Sequence, residues 1–182
     1  MKVISGILKG RNIEGFYLKG TRPTMDRVKE SLFAMLQEDM KESIILDLFA
    51  GSGNLGIEAI SEGASFAYLN DAARQAAKVI KRNITTFAIE DQVEVMNLDF
   101  KKALLSLADK KITFGLIFLD PPYNTSYIKE ALSLIEEYHL LNNDGKVICE
   151  TDHLEKIPLS TKMSIEKSKK YGDKYIVILK QI

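Results

Sequence analysis

The sequence predicts an α/β fold in which a mostly parallel sheet is covered by helices on both faces. From residue 44 onward, short β-rich runs alternate with amphipathic helical segments, which is the pattern of consecutive βαβ units. The expected strands are 44–49, 66–69, 93–96, 114–119 and 146–149, and the expected helices are 55–61, 72–87, 102–108 and 126–138. In such a sheet, ligands bind beyond the carboxyl ends of the strands, where the strand order reverses.

The C-terminal end departs from this pattern. Two β-rich runs, 163–166 and 175–179, flank a turn with the sequence Lys-Lys-Tyr-Gly-Asp and predict an antiparallel pair that closes the sheet. An antiparallel last strand argues against a plain dinucleotide-binding fold. We therefore expect a single domain, 1–182, in which residues 41–182 form the ligand-binding core.

The remaining residues, 1–40, predict an N-terminal extension of a different kind. Residues 3–6 and 11–15 are short β-rich pieces separated by glycines, which indicates a hairpin. A helix should follow, because Thr21 and Pro23 are typical of a helix start and an apolar stripe continues to about Leu36.

The composition excludes several classes of protein. At 182 residues, 46% hydrophobic and 27% charged, the chain can bury one core and resembles neither a disordered nor a repeat sequence. Apolar stretches such as 114–119 reach only six residues, too few to span a membrane. The first residues lack a signal-peptide pattern, so we expect a cytoplasmic protein. One cysteine and two histidines show no zinc-type spacing, so no metal site is expected.

The net charge is zero, but it is unevenly distributed. Residues 1–29 hold seven Lys or Arg against two acidic residues, a net charge of +5. A concentrated basic segment can contact nucleic-acid phosphates even on a neutral protein, whereas the alternative is a solvated basic tail. The candidate phosphate contacts in this segment are Lys9, Arg11, Arg22 and Arg27.

The segment from Asp47 to Gly56 carries the first chemical motif. Gly51, Gly53 and Gly56 satisfy the pattern G-x-G-x-x-G, which is compatible with NAD or FAD binding and also occurs for packing reasons alone. A dinucleotide turn places its first glycine directly after the strand, whereas here Asp47 and Phe49 precede Gly51. This arrangement favours S-adenosylmethionine, because the glycines admit its methionine part and the Asp47 carboxylate can hold its amino group.

Two further aspartates follow the next two predicted strands. Asp71 lies 20 residues after Gly51, where a carboxylate can accept the ribose hydroxyls of an adenosine, or can instead cap a helix. Asp99 follows the third strand, where it can accept a hydrogen bond from an adenine amino group or serve as an ordinary N-cap. Both alternatives stay open for both residues.

The most specific motif is Asp120-Pro121-Pro122-Tyr123, directly after an apolar strand. The two prolines remove N–H donors, so this loop presents acceptors and a flat aromatic ring. Such a site suits an amino group attached to an aromatic base: Asp120 and a carbonyl of the proline segment accept its two hydrogens, and Tyr123 stacks on the extruded base. The alternative is a rigid loop with a stacking tyrosine.

Together these motifs resemble a known family. Residues 47–53 (DLFAGSG) followed by 120–123 (DPPY) look like the amino-directed methyltransferases of the class I S-adenosylmethionine fold. Residues 6–11 (GILKGR) and 21–33 (TRPTMDRVKESLF) narrow the resemblance to the bacterial small-subunit ribosomal RNA methyltransferase D family. Residues 69–73 depart from the usual run of that family after the second strand.

The resemblance implies a Rossmann-like seven-stranded sheet with an N-terminal β-hairpin and helix. It implies transfer of a methyl group from S-adenosylmethionine to N2 of one guanine in 16S rRNA, presented on a small-subunit assembly intermediate. The implied site residues fall into three groups: Asp120, Pro121, Pro122 and Tyr123 for catalysis; Asp47, Phe49, Gly51, Gly53, Asp71 and Asp99 for the cofactor; Lys9, Arg11, Arg22 and Arg27 for RNA.

Three alternatives remain at this point. A DNA adenine-N6 methyltransferase uses the same Asp-Pro-Pro-Tyr chemistry, but it usually needs a sizeable recognition insertion, and only 32 residues follow Glu150. A non-catalytic RNA-binding assembly module would not need both the glycine turn and the acceptor loop. An NAD-binding domain is the third alternative.

Overall fold

The computed structural model describes residues 1–15, 26–123, 125–158 and 162–182, and within them seven strands form one sheet. The strand order is β3-β2-β1-β4-β5-β7-β6, and only β7 runs against its neighbours. The strands are β1 (Ile44–Asp47), β2 (Phe66–Asn70), β3 (Val93–Met96), β4 (Phe114–Leu119), β5 (Leu141–Thr151), β6 (Met163–Tyr171) and β7 (Lys174–Gln181). The predicted mostly parallel sheet with an antiparallel closing strand is confirmed.

Helices cover both faces of this sheet. In the described part of the chain they are α1 (Asp26–Met40), α2 (Asn54–Ser61), α3 (Arg74–Phe87), α4 (Phe100–Asp109) and α5 (Tyr127–Glu137). One apolar core lies between the sheet and α1, α2 and α3, and a second lies between the sheet and α4 and α5. None of these described helices is long and apolar enough to cross a membrane.

The element boundaries follow local chemistry. Strands β3 and β4 have the predicted limits, whereas β5 begins five residues before its predicted start at 146. Its first half contains exposed Asn142, Asn143 and Asp144, which look like a loop in sequence, and the pairing with β4 shifts register there. Helix α4 begins at Phe100 rather than 102, because the Asp99 carboxylate accepts the amide hydrogen of Lys101 (3.0 Å) as an N-cap.

The predicted N-terminal hairpin takes the form of a single antiparallel bridge between Lys2 and Asn12 around a short 3-10 turn. Three apolar side chains of this segment, those of Val3, Leu8 and Ile13, are buried in the core beneath α1, α2 and α3. The segment is therefore docked on the domain and is not a solvated tail.

A buried ion pair fixes this docking. The Lys29 ammonium lies 2.7 Å from the Glu58 carboxylate, and both side chains are fully buried. Lys29 also donates to the carbonyl of Lys2 and to Oδ1 of Asn54, each at 2.8 Å. The same Glu58 carboxylate accepts the amide hydrogens of Ile4 and Ser5. Because an ammonium has three donors, this arrangement satisfies Lys29 completely and joins α1, α2 and the N-terminal segment.

Replacing Lys29 with Met should strongly destabilise the fold, because it leaves the Glu58 carboxylate buried without its counter-ion. We expect the free energy of unfolding in urea to fall by about 3–5 kcal/mol. The matched control is Arg82→Met, which removes the exposed pair between Arg82 and Glu14 and should have a much smaller effect. Equal losses in the two variants would contradict the role assigned to the buried pair.

Candidate functional site

The carboxyl ends of β1, β2 and β4 meet at one edge of the sheet, where they border a cavity of about 340 Å³. This edge lies where the strand order reverses between β1 and β4, as predicted for the ligand site. Four carboxylates line the cavity, those of Asp47, Asp71, Asp99 and Asp120, whereas none of its described lining residues is Lys, Arg or His. The cavity therefore favours a cationic ligand.

The glycines after β1 have two different functions. Gly51 and Gly53 adopt positive φ angles of 57° and 82°, which side chains rarely adopt, and so make the turn. A Cβ atom at Gly51 would meet nothing within 4 Å, so the turn faces open space that a ligand can fill. At Gly56, in contrast, a Cβ atom would lie 2.1 Å from Cδ2 of Leu69, so this glycine permits the packing of α2 on β2.

Asp47 is a buried carboxylate at the end of β1. Neither of its oxygens has a hydrogen-bond partner among the described residues, although the side chain is completely buried. Burial, reinforced by the negative charge of Asp71, raises the pKa of Asp47 to about 7. The amides of Gly56 and Phe49 lower this pKa by less, because they lie near the carboxylate but outside hydrogen-bond geometry. An unpaired carboxylate in this position is suited to bind a cationic amino group.

The other two cofactor candidates organise the loops around the cavity. Asp71 accepts the amide hydrogens of Gly51 (2.9 Å) and Ala73 (2.8 Å), so it ties the glycine turn to the end of β2. Asp99 caps α4 and also lines the cavity. A carboxylate oxygen that accepts one of these hydrogen bonds can still accept another. The ribose contact of Asp71 and the adenine contact of Asp99 are therefore compatible with these roles and stay predictions.

Two buried asparagines that the sequence did not single out complete this framework. Asn70 donates to the carbonyls of Leu48 and Leu98, each at 3.1 Å, and so links the loops after β1 and β3. Asn83 on α3 donates to the carbonyls of Ser52 and Glu14 and joins the glycine turn to the N-terminal segment. The sequence contains both asparagines, but their role in holding the loops around the cavity can be recognised only from their contacts in the structure.

Aromatic rings form one wall of the cavity. Phe49 lies nearly parallel to Tyr127, with ring centroids 6.0 Å apart, and both rings contact Phe100. All three residues line the cavity beside Asp99. The sequence leaves two roles open for Tyr127, stacking on RNA or filling a gap in the core, and the structure places it in this wall. This wall can accommodate a flat heterocycle.

The Asp-Pro-Pro-Tyr loop lies opposite the glycine turn, in the same cavity. Asp120 directly follows β4, and the Pro122 carbonyl accepts a hydrogen bond from the Thr125 hydroxyl (2.9 Å), which fixes the loop. The structure therefore brings both sequence motifs to one cavity, although they are separated by about 70 residues in the chain.

Two residues that the sequence did not indicate, Glu150 and Lys174, contact Tyr123. Its hydroxyl donates to Oε1 of Glu150 (3.2 Å), and the Lys174 ammonium, which is paired with Glu150, lies 5.0 Å from its ring centroid. Burial lowers the pKa of Lys174, but the hydrogen bonds to Glu150 and Tyr123 outweigh it, and the net pKa is raised. Burial raises the pKa of Tyr123, so the phenol stays neutral beside a permanent ammonium.

The four candidate RNA residues occupy different environments. Lys9 and Arg27 are exposed. The Arg11 guanidinium donates to the carbonyls of Thr86 and Phe87 and stacks on the Phe87 ring (4.6 Å), so it caps the C-terminal end of α3. Arg22 lies outside the described residues. A metal-binding cluster of three or more His, Cys, Asp or Glu side chains does not occur in the described part of the chain.

The chain is similar to named proteins over most of its length. Residues 1–180 match the family described as Conserved hypothetical protein 95. The "Putative rRNA methyltransferase YlbH" of Bacillus subtilis (strain 168) is 40% identical over 158 residues, which are 87% of this chain and 86% of that protein. The ribosomal RNA small subunit methyltransferase D of Haemophilus influenzae is 35% identical over 156 residues, which are 84% of this chain and 79% of that protein.

Solved structures give the same result. The "Putative methyltransferase yhhF" of Escherichia coli matches with a TM-score of 0.86 and 26% identity, over 100% of this chain and 97% of that one. The putative methylase HI0767 of Haemophilus influenzae matches with a TM-score of 0.78 and 30% identity, over 99% of this chain and 97% of that one. The protein therefore belongs to the Conserved hypothetical protein 95 family, together with the ribosomal RNA small subunit methyltransferases D, as its motifs predicted.

Proposed function

We propose that this protein is an S-adenosylmethionine-dependent rRNA methyltransferase that methylates the exocyclic N2 of a guanine in 16S rRNA. One observation carries the proposal: a single cavity joins an unpaired buried carboxylate beside a glycine turn to a loop of hydrogen-bond acceptors with an aromatic ring. The names of the relatives support RNA of the small ribosomal subunit as the substrate.

The charge of the cavity supports this cofactor. S-adenosylmethionine supplies an electrophilic methyl group on a sulfonium cation and also carries an amino group. Asp47 would hold that amino group, the turn at Gly51 would accept the methionine part, and the wall of Phe49, Phe100 and Tyr127 would face the adenine. A pyrophosphate would instead meet four carboxylates with no basic residue among the described lining side chains, which argues against NAD.

The acceptor loop supports an amino group as the methyl acceptor. Asp120 accepts a hydrogen of that amino group, which orients the nitrogen lone pair towards the cofactor side of the cavity. As the nitrogen formed its bond to the methyl carbon, the bond from that carbon to the sulfonium sulfur would break and S-adenosylhomocysteine would leave. The Asp120 carboxylate would stabilise the positive charge that develops on the nitrogen, and release of one amino hydrogen as a proton to water would remove that charge. Tyr123 stacks on the base, while Glu150 and Lys174 hold the ring in place. The reaction then needs alignment and exclusion of water more than a strong base.

Replacing Asp120 with Asn should abolish most of the methyl transfer. The amide turns one acceptor into a donor that faces the hydrogens of the substrate amino group, so we expect the rate to fall by about 100-fold or more. The assay follows labelled methyl groups from S-adenosylmethionine into small-subunit rRNA, assembled small subunits and DNA, with nucleoside mass spectrometry of the product.

Binding of S-adenosylhomocysteine, measured by calorimetry, should be essentially unchanged in Asp120→Asn and serves as the control for folding. Near-normal turnover in this variant would contradict the role of Asp120. Appearance of N6-methyladenine in DNA, with no N2-methylguanosine in rRNA, would overturn the proposed substrate in favour of a DNA adenine methyltransferase.

Tyr123→Ala should weaken transfer through loss of stacking, which contributes about 1–3 kcal/mol per base. Tyr123→Phe keeps the ring but loses the hydrogen bond to Glu150, so it should retain most of the rate. If the hydroxyl served the chemistry, Phe and Ala would be equally impaired. The measurement is kcat/KM for methyl transfer to rRNA in the three proteins, at a saturating concentration of S-adenosylmethionine.

The pKa of Asp47 predicts a pH-dependent affinity for the cofactor. The unliganded carboxyl has a pKa of about 7, and a cationic amino group binds its ionised form. Affinity for S-adenosylhomocysteine should therefore fall as the pH falls through 7 and be roughly tenfold weaker at about pH 6 than at about pH 8. In Asp47→Asn the affinity should be weak, and this component of its pH dependence should be absent.

For stability, the raised pKa of Asp47 predicts the opposite pH dependence: the carboxyl should destabilise the unliganded protein increasingly as the pH rises. Ionisation of a buried carboxyl opposes folding, so its destabilising effect grows from about pH 4, where the unfolded group ionises, and is complete above about pH 7. Asp47→Asn should therefore be more stable than the wild type at about pH 8, and this difference should shrink at about pH 5, as measured by urea unfolding without ligand. A wild type that loses no stability relative to the variant over this interval would contradict the raised pKa.

A further inference from the structure

A second concentration of positive charge lies on the β6–β7 hairpin. Residues 162–182 contain six lysines against Glu166 and Asp173, a net charge of +4, which is close to the +5 of residues 1–29. Strand β6 is the edge strand of the sheet, and most of its residues are exposed. This segment is not apparent from the overall charge of the rest of the chain, because residues 30–161 carry a net charge of −9.

The pairing of the strands places the tip of this hairpin beside the candidate active site. Thr151, at the carboxyl end of β5, pairs with Tyr175, which in turn pairs with Lys170. The tip therefore lies at the same edge of the sheet as the ends of β1 and β4. The contact of Lys174 with the Tyr123 ring is a direct measure of this proximity.

The two faces of the hairpin are not equivalent. Lys169 extends towards α1, where its ammonium donates to the Ser31 hydroxyl (3.1 Å) and lies over the Tyr171 ring. Lys167 pairs with Ile178, whose side chain is in the core beneath α1, so Lys167 is on the same face. Lys170 is on the opposite face, over the Tyr175 ring.

Helix α1 extends this cationic face. Arg27 lies four residues before Ser31, so the two side chains are neighbours on the helix surface, and Arg27 is exposed. Together, Arg27, Lys167 and Lys169 form what we call the cationic track. Among the described residues, no carboxylate forms an ion pair with any of the three, although Glu30 is also exposed on α1.

The other end of the same face is different. There Lys146 is paired with both Asp39 and Glu166, at 2.9 and 3.1 Å, so the positive charge is neutralised. Exposed Lys180 pairs with Lys146 on this face, so this end holds two lysines beside two carboxylates, whereas Lys167 and Lys169, nearer to Tyr123, have no ion pair among the described residues. A surface of this kind fits a polyanion whose reactive part enters the adjacent cavity.

We propose that the cationic track binds the phosphates of the RNA strand that flanks the target nucleotide, and so delivers the base to Tyr123. This inference rests on the proposed function and specifies a substrate-binding surface for it. Lys169 is preorganised for the contact, because Ser31 and the Tyr171 ring already restrict its ammonium. The phosphates would then run along the edge strand, with the flipped base turned towards the cavity.

The test compares two double variants that remove the same charge, one from the track and one from the opposite face of the sheet. Lys167→Gln/Lys169→Gln removes two members of the track. Lys170→Gln/Lys102→Gln is the matched control: Lys170 is on the opposite face, over the Tyr175 ring, and Lys102 is exposed on α4, which covers that face. Affinity for a small-subunit rRNA fragment is measured by fluorescence anisotropy at several salt concentrations.

The track variant should bind the fragment more weakly and lower the slope of the log–log salt plot by roughly 0.7 for each lost phosphate contact. The control variant should keep the wild-type slope, and both should bind S-adenosylhomocysteine normally. Unchanged affinity in the track variant, or equal losses in the two variants, would overturn the track.

Failure of the proposed function has a different signature. If the wild type methylates the rRNA but the track variant binds it with the same affinity and salt dependence as the wild type, only the proposed role of the track is wrong. If the wild type binds and methylates DNA and not the rRNA, the proposed function fails, and the track loses its ligand with it.

Discussion

The buried pair of Lys29 and Glu58 is the interaction on which the rest of the structure depends. It joins α1, α2 and the N-terminal segment at a point where each would otherwise bury an unsatisfied polar group. Because Lys29 also binds Asn54, the first residue of α2, the pair fixes the helix that directly follows the glycine turn. Burying two charges is favourable only when every donor and acceptor is paired, and here the backbone of residues 2–5 completes the pairing. The pair thus positions α2 behind the glycine turn, while Asp71 and Asn83 contact the turn itself.

Asp47 and Glu58 are both buried carboxylates, but their different surroundings give them different roles. Glu58 has an ammonium and two amides as partners and is part of the scaffold. Asp47 is equally inaccessible, but its oxygens have no hydrogen-bond partner among the described residues, and its pKa is raised to about 7. Such a group opposes folding of the unliganded protein, and the cationic amino group of the proposed cofactor would supply the missing partner.

Much of the fold could be predicted because it depends on local patterns. Short β-rich runs locate β3 and β4 to the residue, and the glycine turn and acceptor loop follow their strands as expected. The residues that sequence reasoning missed have long-range partners: Lys29 and Glu150 look like ordinary surface charges until the sheet places them beside Glu58 and Tyr123. For the same reason the sequence does not show that the Arg11 guanidinium caps α3; the phosphate contact expected for Arg11 stays a prediction. Spacing in the chain carries no information about such contacts.

The net charge of the protein is zero, but its positive and negative charges are concentrated in different regions. This arrangement suits an enzyme that combines a cationic cofactor with a polyanionic substrate. Four carboxylates line the cavity, where Asp47, Asp71, Asp99 and Asp120 favour a cation and would repel a phosphate. The lysines concentrate on the rim, and Lys174 lies at the boundary, between the hairpin and Tyr123. In the proposed function, a nucleic-acid backbone would stay outside while an uncharged base entered the cavity. The same separation of charge would keep the phosphates away from the carboxylates proposed to orient the cofactor and the amino group, so the two substrates would not compete electrostatically.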